Sequence, residues 1–349
     1  MTLTLRTASE ADREAWDAFV RAHPQGLAYH RWAWGQAVER AYGFRWIGLL
    51  AEEGGEIQGV LPLVELRAPL LGPKWVSLPY CDAGGILAAH EGAARALREQ
   101  VEERASRGKV PVELRFPAEP PEGFPRVGAS GKVRMVLDLP ESSEALLASF
   151  KSKLRSQVRK PERDGLTAGL GGAELLEPFW RIYARNMRDL GSPPHPLRWF
   201  RAVMEAFGDD ARIGMAFMPD GTPAAGGLVL RNGPTVSIPW ASSVRELNRW
   251  NPNMLAYWTL LAHAADTGAT RFDFGRSTPG EGTYRFKAQW GAREEPLTWL
   301  RRVGETWTSA LDGAGTGGRF RAVAEHCWQR LPVGVSSALG GSLRKYVDL

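Results

Sequence analysis

The sequence predicts a mixed α/β (α+β) fold of two tandem units, each a mostly antiparallel sheet with flanking helices and a parallel step near its centre. Runs of alternating, β-branched or aromatic residues are interspersed with stretches of helical periodicity along the whole chain. The order of these runs repeats: Ile47 to Leu61 and Ile213 to Leu228 share a plan of I-G-x-x, a tight turn and small residues entering a second strand. At 349 residues the chain is also long enough for two units with their own cores.

The first unit, residues 1–140, opens with the strand pattern LTLRT. A helix follows over SEADREAWDAFV, where Ser9 and Asp12 have capping-pair spacing. A second helix, RWAWGQAVERAYG, ends at Gly43. Two β-rich runs between Phe44 and Leu66 flank a Glu-Gly-Gly-Glu turn and read as a hairpin. KWVSLPYCDAGGILA reads as a strand with a glycine bulge, EGAARALREQVEERASRG as an amphipathic helix and VPVELRFPA as a strand. VLDLPESS is the expected crossing to the second unit, residues 141–305.

That unit repeats the order. A capped basic helix covers Glu141 to Lys160, and PFWRIYARNMRDLG is a second helix. Three β-runs from Arg212 to Ser243 are separated by Pro-Asp-Gly and Arg-Asn-Gly turns. A helix over NMLAYWTLLAHAADTG precedes the strand TRFDFG. The tail, residues 306–349, is Gly-rich before an apolar helix, RAVAEHCWQRLP.

Composition narrows the function. No run approaches the roughly 18 apolar residues of a membrane helix, and the N-terminus lacks an export signal, so a cytoplasmic protein without a membrane span is expected. Cys81 and Cys327 stand apart with no metal-type spacing and read as inert core thiols. The six histidines are scattered singly, which suggests neither a metal site nor a serine-histidine triad. Phosphate-loop, dinucleotide, zinc-protease and nucleophile-elbow motifs are all missing. A chain without those devices can still form amides from an already activated ester or thioester, given orientation of an amine and stabilisation of an oxyanion.

Lys287 suits that second task. It follows a strand and a turn rich in glycine (Gly275, Gly280, Gly282) and stands among Tyr284, Phe286 and Trp290. Partly shielded from water, one donor to an oxyanion is worth roughly 3–4 kcal/mol; the alternative is a surface lysine snorkelling over core aromatics. The formal charge of +5 is matched by the segment Lys151 to Arg163 alone, which places Lys151, Arg155 and Arg159 on one helical face. That face suits the phosphates of RNA or of a nucleotide-linked lipid or sugar, or is simply solvated. Trp32, Trp34 and Asp82 are candidates to line a cleft between the units, with core packing as the alternative for the tryptophans.

Taken together, RWAWGQAVERAYGF, SLPYCDAGGILA, KLRSQVRKPERDGL, IPWASSVRELNRWNPNMLAYW, DFGRSTPGEGTYRFKAQWGA and CWQRLP resemble the Fem family of aminoacyltransferases, and within it the FemAB-like proteins associated with PEP-CTERM/exosortase gene clusters. The resemblance implies two GNAT-like acyltransferase domains with a cleft between them. It implies an N-acyltransferase with no bound cofactor or metal, using aminoacyl-tRNA or acyl-CoA as co-substrate. The acceptor would be a phosphate-bearing cell-envelope or exopolysaccharide precursor, with possible RNA contact.

By the same resemblance, Phe286 and Lys287 match the family's Phe-Lys pair at the reaction centre, and Lys153, Arg155, Arg159 and Lys160 match its basic helix. Trp34, Trp240, Arg276 and Tyr284 complete the expected substrate-binding set, and Asp82 or Asp273 is the candidate base, together with an oxygen of the substrate itself. The chain departs from the family in two places: Pro161 is expected to end or kink the basic helix early, and the long helical hairpin of some Fem proteins is absent. The pyrophosphate loop of coenzyme A-dependent GNAT enzymes is also missing, which counts against acyl-CoA as donor. A non-catalytic glycan or lipid-precursor binding module, an acyl-CoA-dependent N-acetyltransferase and a nucleic-acid-binding protein are the alternative readings.

Overall fold

The computed structural model describes residues 3–69, 72–125, 131–310 and 318–347. The first unit runs β1 (Thr4–Thr7), α1 (Arg13–Ala22), α2 (Trp32–Tyr42), β2 (Arg45–Glu53), β3 (Glu56–Ala68), β4 (Gly72–Val76), β5 (Leu87–Ala88), α3 (Glu91–Gly108) and β6 (Val112–Phe116). The second runs β7 (Val133–Asp138), α4 (Ser143–Ser149), α5 (Ser152–Arg163), β8 (Thr167–Gly171), α6 (Leu176–Asp189), α7 (Leu197–Phe207), β9 (Ala211–Phe217), β10 (Pro223–Asn232), β11 (Thr235–Ser243), α8 (Pro252–Asp266), β12 (Arg271–Ser277), α9 (Gly282–Ala288) and β13 (Arg293–Pro296). β14 (Thr298–Val303), β15 (Thr306–Ser309), α10 (Gly318–Gln329) and α11 (Val333–Leu343) complete the chain.

Two mixed sheets result, in the orders β1-β2-β3-β4-β6-β14-β15, with β5 on β3, and β13-β7-β12-β11-β10-β9-β8. Each contains one parallel step, β4 with β6 and β11 with β12, among antiparallel pairs. The sheets do not divide the chain at residues 140 and 305. β7, expected at the crossing, pairs with β12 and β13 in the second sheet, and β14 returns to pair with β6 in the first.

Three expectations need correction. The bulged strand over Lys74 to Ala88 is β4, an irregular loop and the short β5. Leu78 (φ 69°) and Tyr80 (φ 67°) occupy the left-handed region, which no strand accommodates. The single basic helix is split into α4 and α5, because Phe150 adopts an extended conformation and is buried edge-on against Trp258 and Trp290. Pro161 does not end α5, which runs on to Arg163 with the proline ring buried in its last turn.

The sequence-predicted C-terminal helix is α10, and a further helix, α11, follows it; the Gly-rich stretch at 311–317 lies outside the described residues. The tail joins both units. Tyr80 Oη donates to the Lys345 carbonyl (2.7 Å), and Arg344 Nε donates to His195 Nε2 (3.1 Å). Because arginine only donates, the neutral ring of His195 carries its proton on Nδ1 and donates it to the Tyr42 hydroxyl (2.5 Å). Burial holds the His195 pKa well below its ordinary value.

One core crosses between the units, with Trp34, Tyr42 and Tyr80 from the first and Phe179, Trp199 and Trp240 from the second. A second core lies between the outer face of β7 and β12 (Met135, Leu137, Phe272, Phe274) and the helices α4, α5 and α8.

Candidate active site

The alternation that buries Met135, Phe272 and Phe274 turns Arg134, Arg271 and Asp273 to the opposite face of the same strands, where Glu295 of β13 joins them. Asp273 is 2% exposed. It accepts from the Gly275 N–H (2.8 Å) and from Arg134 (3.4 Å). Burial raises its pKa, and the charge of Arg134 opposes that rise. Glu295 bridges Arg134, Arg271 and Arg293. Burial disfavours its charge, but these arginines reverse the balance and leave its pKa lowered.

Asp82 arrives from the first unit on the loop after β4. That loop is organised by Arg115, which is 1% exposed. Its backbone N–H donates to Ser77 Oγ (2.8 Å), and its guanidinium donates to the carbonyls of Cys81 (3.1 Å) and Leu78 (3.4 Å). Glu113 balances the arginine at 2.7 Å. Burial works against that carboxylate's charge, but Arg115 and Lys74 overcome it and hold its pKa at about 2. Asp82 then reaches across to the second unit, accepting from the Arg276 N–H (2.9 Å) and lying 3.5 Å from its Nε. The Trp299 ring centroid is 4.5 Å from the guanidinium carbon of Arg115 and 5.0 Å from that of Arg276, and its indole N–H donates to the Asp82 carbonyl (2.9 Å).

Lys287, on α9, is 8% exposed and so is not a snorkelling surface residue. Its Nζ donates to the carbonyls of Arg276 (2.8 Å) and Gly275 (3.2 Å). An ammonium has three donors, and the third has no partner among the described residues. Burial lowers the Lys287 pKa to about 8, against the upward pull of Asp82 and Asp273. Two backbone carbonyls thus aim a partly destabilised cation, the arrangement an oxyanion donor requires.

Gly275 makes this approach possible. Its φ is +73°, and a Cβ there would stand 3.1 Å from Asp82 Oδ2. Gly275→Ala is expected to destabilise the fold by about 1–2 kcal/mol and to displace Asp82, which a shifted denaturant midpoint at unchanged m-value will show.

The other sequence-predicted residues are placed as follows. Phe286 packs edge-on against Tyr257 (4.9 Å) in the second core, and Tyr284 hydrogen-bonds Glu294. Trp34 and Trp240 stack at 5.9 Å inside the shared core, with Trp34 fully buried, so they pack the units together and do not line an open cleft. Arg155 donates to the Phe150 and Ala148 carbonyls, Lys160 pairs with Asp164, and Arg159 is exposed. Cys81 is buried, with its thiol pKa pushed up by burial, whereas Cys327 is exposed and is not the core thiol expected.

Arg134, Glu295, Arg115 and Trp299 were missed by sequence reading, although the alternation R-x-x-x-D, R-x-D and R-x-E in three strands was a signal of a charged sheet face. Tyr29 was missed too; burial and the charges of Asp273 and Asp82 keep its hydroxyl protonated. A cavity of about 330 Å³ separates this charged face from the first unit, lined by Gly26, Leu27, Pro117, Arg134, Asp273 and Glu295 among others. A larger groove on the second unit, about 560 Å³, shares none of these residues.

Residues 148–288 match the family model of an acetyltransferase (GNAT) domain. Among solved structures the chain is similar to FemX, with a TM-score of 0.66 and 17% identity over 84% of this chain and 95% of that one. It is also similar to L-PGS from Bacillus licheniformis (TM-score 0.55, 14% identity, 93% of this chain and 99% of that one). A third similar structure is a tandem GNAT protein from the clavulanic acid biosynthesis pathway (TM-score 0.53, 13% identity, 87% and 99%). No curated protein matches the sequence. These similarities show a tandem GNAT-like fold. Among the described residues, no helix is long and apolar enough to cross a membrane, and no group of three or more metal-ligating side chains could hold an ion.

Proposed function

We propose that the chain is an N-acyltransferase of Fem type, which moves an aminoacyl or acyl group from an activated ester or thioester to an amine. The observation that carries this reading is Lys287, a buried ammonium aimed by two carbonyls beside a carboxylate contributed by the other unit. The amine nitrogen attacks the donor carbonyl, and the oxygen that gains charge takes the third Lys287 donor. As the C–N bond forms, the amine loses a proton to a carboxylate. Asp82 is better placed for this than Asp273, being 22% exposed in its side chain against 2%. The C–O or C–S bond to the donor then breaks, and the proton leaves with the tRNA hydroxyl or the coenzyme A thiol.

The sequence resemblance to Fem aminoacyltransferases supports the tRNA-linked donor, and the match to an acetyltransferase (GNAT) domain supports the coenzyme A thioester. The exposed cations of α5, Lys153 and Arg159, supply phosphate contacts for the donor or for an envelope or exopolysaccharide precursor. That acceptor class, and the PEP-CTERM-associated branch, rest on the sequence resemblance.

The reading is tested by incubating the protein with charged tRNA, uncharged tRNA and coenzyme A thioesters, at two salt concentrations, with amine acceptors. Transfer from charged tRNA identifies aminoacyl transfer, and transfer from a thioester alone identifies a GNAT-type enzyme. Ligand binding without transfer from either donor overturns the enzyme reading in favour of a binding module.

A further inference from the structure

Exposed large apolar side chains are concentrated at the C-terminal end of the protein. Val335 (44% exposed), Leu339 (47%) and Leu343 (47%) form an i, i+4, i+8 row along α11, and Tyr346 and Val347 extend it. The helix is inverted relative to a surface helix of a globular domain. Its buried side consists of Ser336, Gly340 and Gly341, with the glycines against Pro194 and Pro196, while its bulky apolar side chains point outward. Small residues bring the helix close to the body of the protein, and hydrogen bonds from Arg198 to Gly341 and from Arg344 to His195 fix its orientation. The outward row is therefore held in place by the fold and does not come from a loosely attached tail.

Two further features select the occupant. The C-terminal 32 residues carry five arginines and lysines against Glu325 and Asp348, and the exposed Arg330 precedes the apolar row while Lys345 follows it. Over 11 residues the row is about 16 Å long, which is roughly half the thickness of a bilayer's hydrocarbon core. A short apolar ridge bounded by cations matches a helix lying in the headgroup layer of an anionic membrane. A second copy of the chain fits less well, because two such faces would bring like charges together.

We infer that α11 and the segment after it dock the protein on an anionic phospholipid surface, with Val335, Leu339 and Leu343 entering the interface and Arg330 and Lys345 meeting phosphates. This inference is independent of the transfer reaction.

The test is co-sedimentation of the full chain with vesicles of phosphatidylcholine alone and of phosphatidylcholine mixed with phosphatidylglycerol. Binding is expected to the mixed vesicles only and to weaken with salt. The variant V335S/L339S/L343S should lower the partition coefficient about tenfold or more, and R330E/K345E should weaken binding and flatten its salt dependence, with circular-dichroism melts unchanged for both because the altered side chains are not buried. Wild-type protein that ignores mixed vesicles, or a serine variant that binds them as tightly as wild type, overturns the inference. A concentration-dependent dimer abolished by the serine variant, without vesicle binding, would assign the face to a second copy and overturn it as well.

Discussion

Replacing Lys287 by methionine is expected to lower turnover about a hundred- to a thousandfold, the loss associated with removing one oxyanion donor, while the protein remains folded. The second half of this expectation follows from the cost of the native lysine. Its pKa falls from 10.5 to about 8 on burial, which corresponds to roughly 3 kcal/mol disfavouring the charged form. Methionine releases that cost and gives up the two hydrogen bonds to Gly275 and Arg276, together worth about 3 kcal/mol. The two effects nearly cancel. The sign can be checked by pH: a lysine whose folded pKa is depressed weakens the fold below pH 8, and the penalty is relieved as pH rises toward 10.5. The methionine variant should lack that rise. Melting curves taken alongside the transfer assay separate lost chemistry from lost fold, and a variant that retains wild-type turnover would remove Lys287 from the reaction.

Arg134→Met is expected to be the most destabilising change at the site, costing about 3–5 kcal/mol, as breaking a buried ion pair does. Arg134 is 6% exposed and serves two carboxylates, Asp273 and Glu295. Methionine fills much of the space but leaves the buried Asp273 carboxyl with the Gly275 N–H as its remaining hydrogen bond and only the charge of Lys287 to offset its desolvation. The double variant Arg134→Met/Asp273→Asn removes the stranded charge and should recover at least half of the loss. Denaturant titration of the two proteins measures both numbers. A single-variant cost under about 1 kcal/mol would mean that the network adds little to the fold.

The order of elements was legible because their signals are local. The helix at Glu91–Gly108 and the turns before β10 and β11 lie where periodicity and Pro-Asp-Gly and Arg-Asn-Gly place them. The DFG-to-Lys287 segment was legible for the same reason: strand, glycine turn and lysine occupy one short stretch. What could not be read depends on distant partners. Arg134 and Asp273 are 139 positions apart, and Arg115 holds the loop of Asp82 through carbonyls 34 and 37 positions away. The left-handed Leu78 and Tyr80 carry no residue-type signal, since such conformations usually belong to glycine or asparagine. Phe150 breaks the basic helix only because Trp258 and Trp290 bury it. For Trp34 the sequence leaves cleft and core both open, and only its stacking on Trp240 of the other unit decides for the core.

The sharpest test of the ammonium role is the pH dependence of single-turnover transfer, with whichever donor the transfer assay identifies. If charged Lys287 stabilises the oxyanion, the rate falls above an apparent pKa near 8, and this descending limb is missing in the methionine variant. A rate that instead climbs through that range in the wild type, with the climb abolished by the methionine variant, would mean that the neutral amine is the working form. Lys287 would then be a base, and the oxyanion assignment would be wrong.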